Sequence, residues 1–173
     1  MAAQPEDPRF TLLKSFPLIV PVNYVHDTQL TKFREANHNK FTLYNNDITD
    51  QNFSKVTTKL VPGRKFNVKI FAINIGKYVS SKGCLIFLRK QKAVFVGTQG
   101  ASLIWQKKKE KLPINKWSIS FDEKKALWKE PRGYFEMLPC VDRFSAYDWR
   151  FHLVLFRSYW SDNDCLICFC DPE

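Results

Sequence analysis

KFNVKIFAI, residues Lys65 to Ile73, carries the clearest alternation in the chain. Phe66, Val68, Ile70 and Ala72 fall on one side of an extended backbone, and Lys65, Asn67 and Lys69 on the other. Successive strand side chains point to opposite faces, so this segment is predicted as a strand with one face on a core. Working back from it, Pro62-Gly63 ends the preceding segment, in which Phe53, Val56 and Leu60 recur at helical spacing behind a capping Thr49 or Asp50. A helix is expected there. Phe41 to Tyr44 reads as a short strand, and Asp27 or Thr28 can cap a short helix with Leu30, Phe33 and Arg34 giving an inner face and a rim. TLLKSFPLIVPVNYV, Thr11 to Val25, is β-rich, but Pro17 and Pro21 cannot donate to a ladder and push it to the sheet edge. Residues 1–9 are expected to form a loose tail.

Forward from Ile73, Ser80 or Ser81 can cap a helix to about Gln91 with Cys84, Leu85, Phe87 and Leu88 as its apolar stripe. Ala93 to Val96 reads as a short buried strand, Gly97 to Gly100 (GTQG) as a turn exposing Thr98 and Gln99, and Ala101 to Leu112 as a helix stopped by Pro113. Trp117 to Phe121 is a further strand, followed by a brief helical stretch over DEKKALW. Tyr134 to Phe144 and Arg150 to Trp160 read as strands, and Ser161 to Asp164 as a turn into CLICFC, which makes residues 150–171 a predicted hairpin. No βαβ rhythm and no internal repeat is visible. The expectation is a single α+β domain over residues 10–173, a mostly antiparallel sheet with about four helices and a C-terminal β-meander.

The 173 residues are 45% hydrophobic and 15% aromatic, enough for a real core and too apolar for wholesale disorder. No apolar run approaches the roughly 20 residues that a membrane helix needs, and MAAQPEDPRF lacks the basic-then-apolar pattern of a secretory signal. A cytosolic location without membrane contact is therefore expected, and the odd number of cysteines, five, fits reduced thiols. The net charge of +10 is unevenly spread. Residues 55–132 hold 19 Lys and Arg against 4 Asp and Glu, whereas residues 1–54 hold 5 against 6 and residues 133–173 hold 3 against 7.

PGRKFNVKIF, the CLIFL stripe, VFVGTQGASLIW, KWSISFDEKKALW and CLICFCD resemble segments of a set of uncharacterised bacterial proteins, a likeness that implies no activity, cofactor or partner for any residue. The chemistry must come from the side chains. Cys165-x-x-Cys168-x-Cys170 offers soft ligands, with His152 or Cys140 as a fourth. Strand alternation puts Cys165 on the opposite face from Cys168 and Cys170, however, so core packing is preferred and no metal is expected. Were zinc present, Cys140, Cys168 and Cys170 would be the first suspects. GTQG at a helix start could offer backbone N–H groups to a phosphate, but it lacks the spacing and the lysine of a P-loop. Cys84 or Ser102 with His26, His38 or His152 forms no nucleophile frame, and Asp47/Asp50 and Asp162/Asp164 fit caps and turns.

The basic centre survives best. On helix 101–112, Ala101, Ile104, Trp105 and Leu112 make the packed stripe, with Lys107, Lys109 and Lys111 off it. Arg89, Lys90 and Lys92 end the preceding helix, and Lys124, Lys125 and Lys129 follow Phe121. Such an excess goes beyond what solubility asks. The leading expectation is a small binding module without cofactor, contacting RNA or DNA phosphates through Arg89, Lys90, Lys92, Lys107, Lys109, Lys111, Lys124 and Lys125. The alternative is an interaction or inhibitor module docking on an acidic protein, and the third is a small hydrolase or nuclease whose site is assembled from distant residues.

Overall fold

The computed structural model describes residues 7–173. In chain order they form β1 (Phe10–Ile19), α1 (Gln29–Asn37), β2 (Phe41–Tyr44), β3 (Lys65–Ile73), β4 (Val79–Ser80), α2 (Ser81–Lys90), β5 (Ala93–Val94) and α3 (Gly97–Lys108). Then come β6 (Trp117–Ser120), β7 (Trp128–Lys129), β8 (Glu136–Arg143), β9 (Trp149–Leu155), β10 (Tyr159–Trp160) and β11 (Asp164–Cys170). Seven strands follow the order β1-β3-β11-β6-β8-β9-β2, with β5 joining β11 and β7 joining β8, while β4 and β10 pair separately. The β11/β6 and β2/β9 contacts are parallel, and every other pairing is antiparallel. Mixed helix and mostly antiparallel sheet is thus the observed class.

The strand expected at residues 65–73 forms with the expected ends, and its alternation is set by two cores rather than one. Phe66, Val68 and Ile70 join Cys165, Ile167 and Phe169 of β11 beneath Leu30 and Phe33 of α1 and Ile104 and Trp105 of α3. On the opposite face, Phe71 and Ile73 meet Leu166, Cys168 and Cys170, covered by Cys84, Leu85, Phe87 and Leu88 of α2. That is the predicted stripe. Ser80 caps α2 by accepting the Gly83 N–H at 3.2 Å. β1 lies at the sheet edge, where the missing N–H of Pro17 breaks no ladder.

Three expectations are corrected. The helix over residues 49–61 does not form, which leaves three α-helices among the described residues. Its backbone donors go elsewhere: the Thr57 N–H to the Asp122 carboxylate, the Thr58 N–H to the Phe95 carbonyl at 3.0 Å, and the Leu60 N–H to His26 Nδ1 at 3.2 Å. Phe53 and Leu60 are buried all the same, so the apolar spacing reflects core plugs rather than a helix face. Asp50 does cap a helix, but it is α1, where it accepts the Leu30 and Thr31 N–H groups at 2.9 Å each.

Gly97 to Gly100 is not an exposed turn but the first turn of α3, and Thr98 and Gln99 are buried. Gly100 is glycine because a Cβ there would lie 2.4 Å from Val96 Cγ2 and 3.0 Å from the Phe169 ring. The helix also ends earlier than expected, with Lys109–Lys111 forming a 3-10 turn. The third correction concerns the C-terminal meander. β8 and β9 pair as a hairpin, but β11 lies between β3 and β6, with β6 and β8 separating it from β9. Every residue of β11 is buried, and a strand apolar on both faces is stable only where both faces are covered. Of the expected tail, residues 1–6 lie outside the described residues. Arg9 is tied to Asp7 at 2.8 Å, and the Pro8 carbonyl accepts from Asn74 Nδ2 at 2.9 Å.

A chain ending at Trp160 loses β11 and leaves β3 and β6 unpaired along their inner edges. Burial of Ile167 and Phe169 alone contributes about 1.5–3 kcal/mol each. The truncated chain is therefore expected to show no cooperative thermal transition by circular dichroism, where the full chain shows one.

Candidate functional site

The segment between β2 and β3 has neither helix nor strand; Ile48, Phe53 and Leu60 are buried, and most of its polar residues are left on the outside. Gln51, Asn52, Ser54 and Lys55 face the stretch that follows β6, where Lys124–Ala126 forms a 3-10 turn and β7 pairs with β8. A cleft of about 910 Å³ lies between them. Its cationic wall is Lys55, Lys124, Lys125 and Lys129, and Trp128 and Glu136 also line it. Trp128 is half-buried against Phe53, with ring centroids 5.9 Å apart. Glu136 is nine-tenths buried; its Oε1 lies 3.9 Å from Lys124 Nζ, while its Oε2 holds no hydrogen bond. Four ammonium groups thus face one carboxylate across the cleft.

Behind this wall sits Asp122, 3% exposed, just past the end of β6. It accepts the Thr57 N–H at 3.2 Å and the Glu123 N–H at 2.7 Å. Burial pushes its carboxyl up to about 6, against these hydrogen bonds, which pull it down. A Cβ on Gly97 would fall 2.9 Å from Asp122 Oδ2, so the carboxylate stands against the first residue of α3. The protein's own carboxylate thus lies beside the start of the GTQG helix, although its hydrogen bonds come from Thr57 and Glu123.

The eight cations expected from the sequence do not share one face. Lys124 and Lys125 line the cleft. Arg89 approaches them by gripping Glu123 through Nε and Nη2 at 3.1 and 2.5 Å. Lys90 ends α2 and Lys92 follows it with φ 57°, both outside the cleft. Lys107, Lys109 and Lys111 stand at the other end of the 12-residue α3 from Asp122, about 18 Å along the helix axis. Lys109 caps the Trp105 ring at 4.6 Å, a packing contact. Lys55 and its polar neighbours escaped sequence reasoning because a helix was assigned there.

The remaining candidate groups lie at separate places in the fold. All five cysteines are buried free thiols, with Cys165 in one core and Cys168 and Cys170 in the other. The Cys168 and Cys170 sulfurs lie 3.6 Å apart. Cys140 instead approaches Asp142 and His152, with ligand-type atoms within 4.8 Å of one another. Asp142 is already engaged, by Arg150 and by His152 Nε2 at 2.9 Å, and burial holds the Cys140 thiol well above its ordinary range. Cys84 packs under α2, with burial raising its thiol to about 12. Ser102 Oγ donates to the Gln99 carbonyl at 2.8 Å and accepts from Gln29. His38 Nδ1 sits 3.0 Å from the Arg34 carbonyl. No hydrogen bond among the described residues joins any of the three histidines to Cys84 or Ser102. Asp164 closes its turn by accepting the Ser161 N–H at 2.8 Å, as its sequence position suggested.

No family model, curated protein or solved structure matches the chain. No helix among the described residues is long and apolar enough to cross a membrane.

Asp122 gives the site a pH signature. Its folded-state value of about 6 lies above the ordinary 3.8, so the folded protein holds this proton more tightly than the unfolded chain. The associated stability is complete below about pH 4 and is lost as pH rises through about 6, on the order of 2–3 kcal/mol in all. Asp122→Asn, which keeps an acceptor for Thr57, is expected to flatten that part of the stability profile, measured by denaturant unfolding across this range.

Proposed function

We propose that this chain is a polyanion-binding module that holds the phosphates of a nucleic acid in the lysine cleft. The observation that carries the reading is the convergence of Lys55, Lys124, Lys125 and Lys129 on one open space with a single carboxylate among the lining residues. A phosphate chain releases its condensed counterions when ammonium groups replace them, and this entropy gain is indifferent to sequence. The neighbouring Gln51, Asn52 and Ser54 can hydrogen-bond sugar and phosphate oxygens without strong base preference. Arg89 is paired with Glu123, which offsets its charge, and the lysines at the end of α3 stand apart from the cleft. An acidic protein surface is the competing occupant.

The test is fluorescence anisotropy with a labelled single-stranded oligonucleotide over a salt series. The parent should bind, and each cleft lysine changed to Gln should weaken binding and lower the slope of log K against log salt by about 0.7. The combined Lys107→Gln, Lys109→Gln and Lys111→Gln variant should bind as the parent does. These lysines are mostly exposed, so stability should change by less than about 0.5 kcal/mol in either set. Binding unaffected by the cleft substitutions would move the site elsewhere. A parent that ignores oligonucleotide but binds an acidic polypeptide would hand the cleft to a protein partner.

A further inference from the structure

The wall that carries the lysines also carries an aromatic ring. Lys125 and Lys129 stand on either side of Trp128 in the chain, and all three line the cleft. Of the five tryptophans, Trp105, Trp149 and Trp160 are buried and Trp117 lies outside the lining, so Trp128 alone is offered to this space. Its position is fixed from behind. The backbone of Trp128 in β7 pairs with Met137 of β8, and the ring rests against Phe53 with the two planes inclined at 49°. That contact occupies one part of the indole and leaves the side chain only half-buried. The Trp128 N–H makes no hydrogen bond among the described residues and, unlike the buried N–H of Trp105, is open to solvent.

Phosphates alone would ask only for the lysines. An aromatic ring held still beside a cationic groove serves a second purpose: the backbone of a strand follows the charge while a base stacks on the ring, which is how proteins hold single-stranded nucleic acid without reading its sequence. Stacking needs a free base face. In a duplex the bases are already stacked on one another, so a double helix could offer this wall its phosphates and nothing for the indole. The size of the space points the same way. About 910 Å³ lies at the upper end of cavities that enclose a small ligand, room for a short stretch of one strand rather than for a helix whose major groove alone is about 12 Å wide. An acidic polypeptide, by contrast, would use the ammonium groups and leave the ring without a flat partner.

We infer that Trp128 is a base-stacking platform, so that the lysine cleft takes single-stranded nucleic acid in preference to duplex. This rests on the polyanion reading and narrows it to one form of nucleic acid.

The experiment compares oligothymidylate with its duplex with oligodeoxyadenylate of the same length, and uses inorganic polyphosphate, which has no bases, as the probe of the lysine wall alone. The parent should bind the single strand about tenfold more tightly than the duplex, as one stacked base allows. Trp128→Leu should lose that ratio while keeping the affinity for polyphosphate and the salt slope. Because Trp128 also packs on Phe53, a second readout leaves the ring in place: in protein labelled with fluorotryptophan, the Trp128 resonance, identified by its absence from Trp128→Phe, should shift with oligothymidylate and stay in place with polyphosphate. If polyphosphate binds but the single strand binds no better than the duplex, or the Trp128 resonance ignores oligothymidylate, the stacking platform is wrong and the lysine wall stands. If none of the three probes binds, both readings fall.

Discussion

One strand with no wet face governs this structure. All seven residues of β11 are buried, and a strand apolar on both sides must lie inside a sheet that is itself covered twice. Helices α1 and α3 therefore lie over one face and α2 over the other. The three cysteines of β11 suit the position. Each is a small buried hydrophobe, and where Gly100 of α3 meets the Phe169 ring there is no room for a side chain on the helix.

The cleft is a consequence of the same arrangement. β6 runs parallel to β11 and ends beside the start of α3, which leaves Asp122 buried where the chain turns away. A buried carboxylate needs donors, and it takes them from Glu123 and from Thr57 in the segment that precedes β3. That contact holds the irregular segment 45–64 against the residues following β6. The two stretches then face each other with their polar side chains outward, and their lysines define the space between. Asp122 thus acts as a positioning residue beneath the cleft.

Much of this is legible in the amino-acid order. The alternation of residues 65–73, the stripe of α2, the proline-marked edge strand, the opposite faces of Cys165 and Cys168 and the concentration of positive charge in residues 55–132 all follow from spacing and composition. The cationic site was legible only in part: Lys124 and Lys125 belong to the cleft, whereas Lys107, Lys109 and Lys111 share their composition and not their location. Lys55 was hidden because Phe53, Val56 and Leu60 mimic helical spacing while serving the core from a loop.

Periodicities of two and of three to four residues are local properties, and the amino-acid order determined them alone, together with the charge and with where glycine and proline must fall. The tertiary structure decided what depends on distant partners. It inserted β11 between β3 and β6 rather than beside β9, since only there are both of its faces dry. It kept residues 49–61 from coiling, because Asp122, the Phe95 carbonyl and His26 Nδ1 take the donors at Thr57, Thr58 and Leu60, respectively, that a helix would have used. It also chose which lysines meet. Charge along a chain counts cations, but only the packing of two irregular segments around a buried carboxylate brings four of them to one cleft.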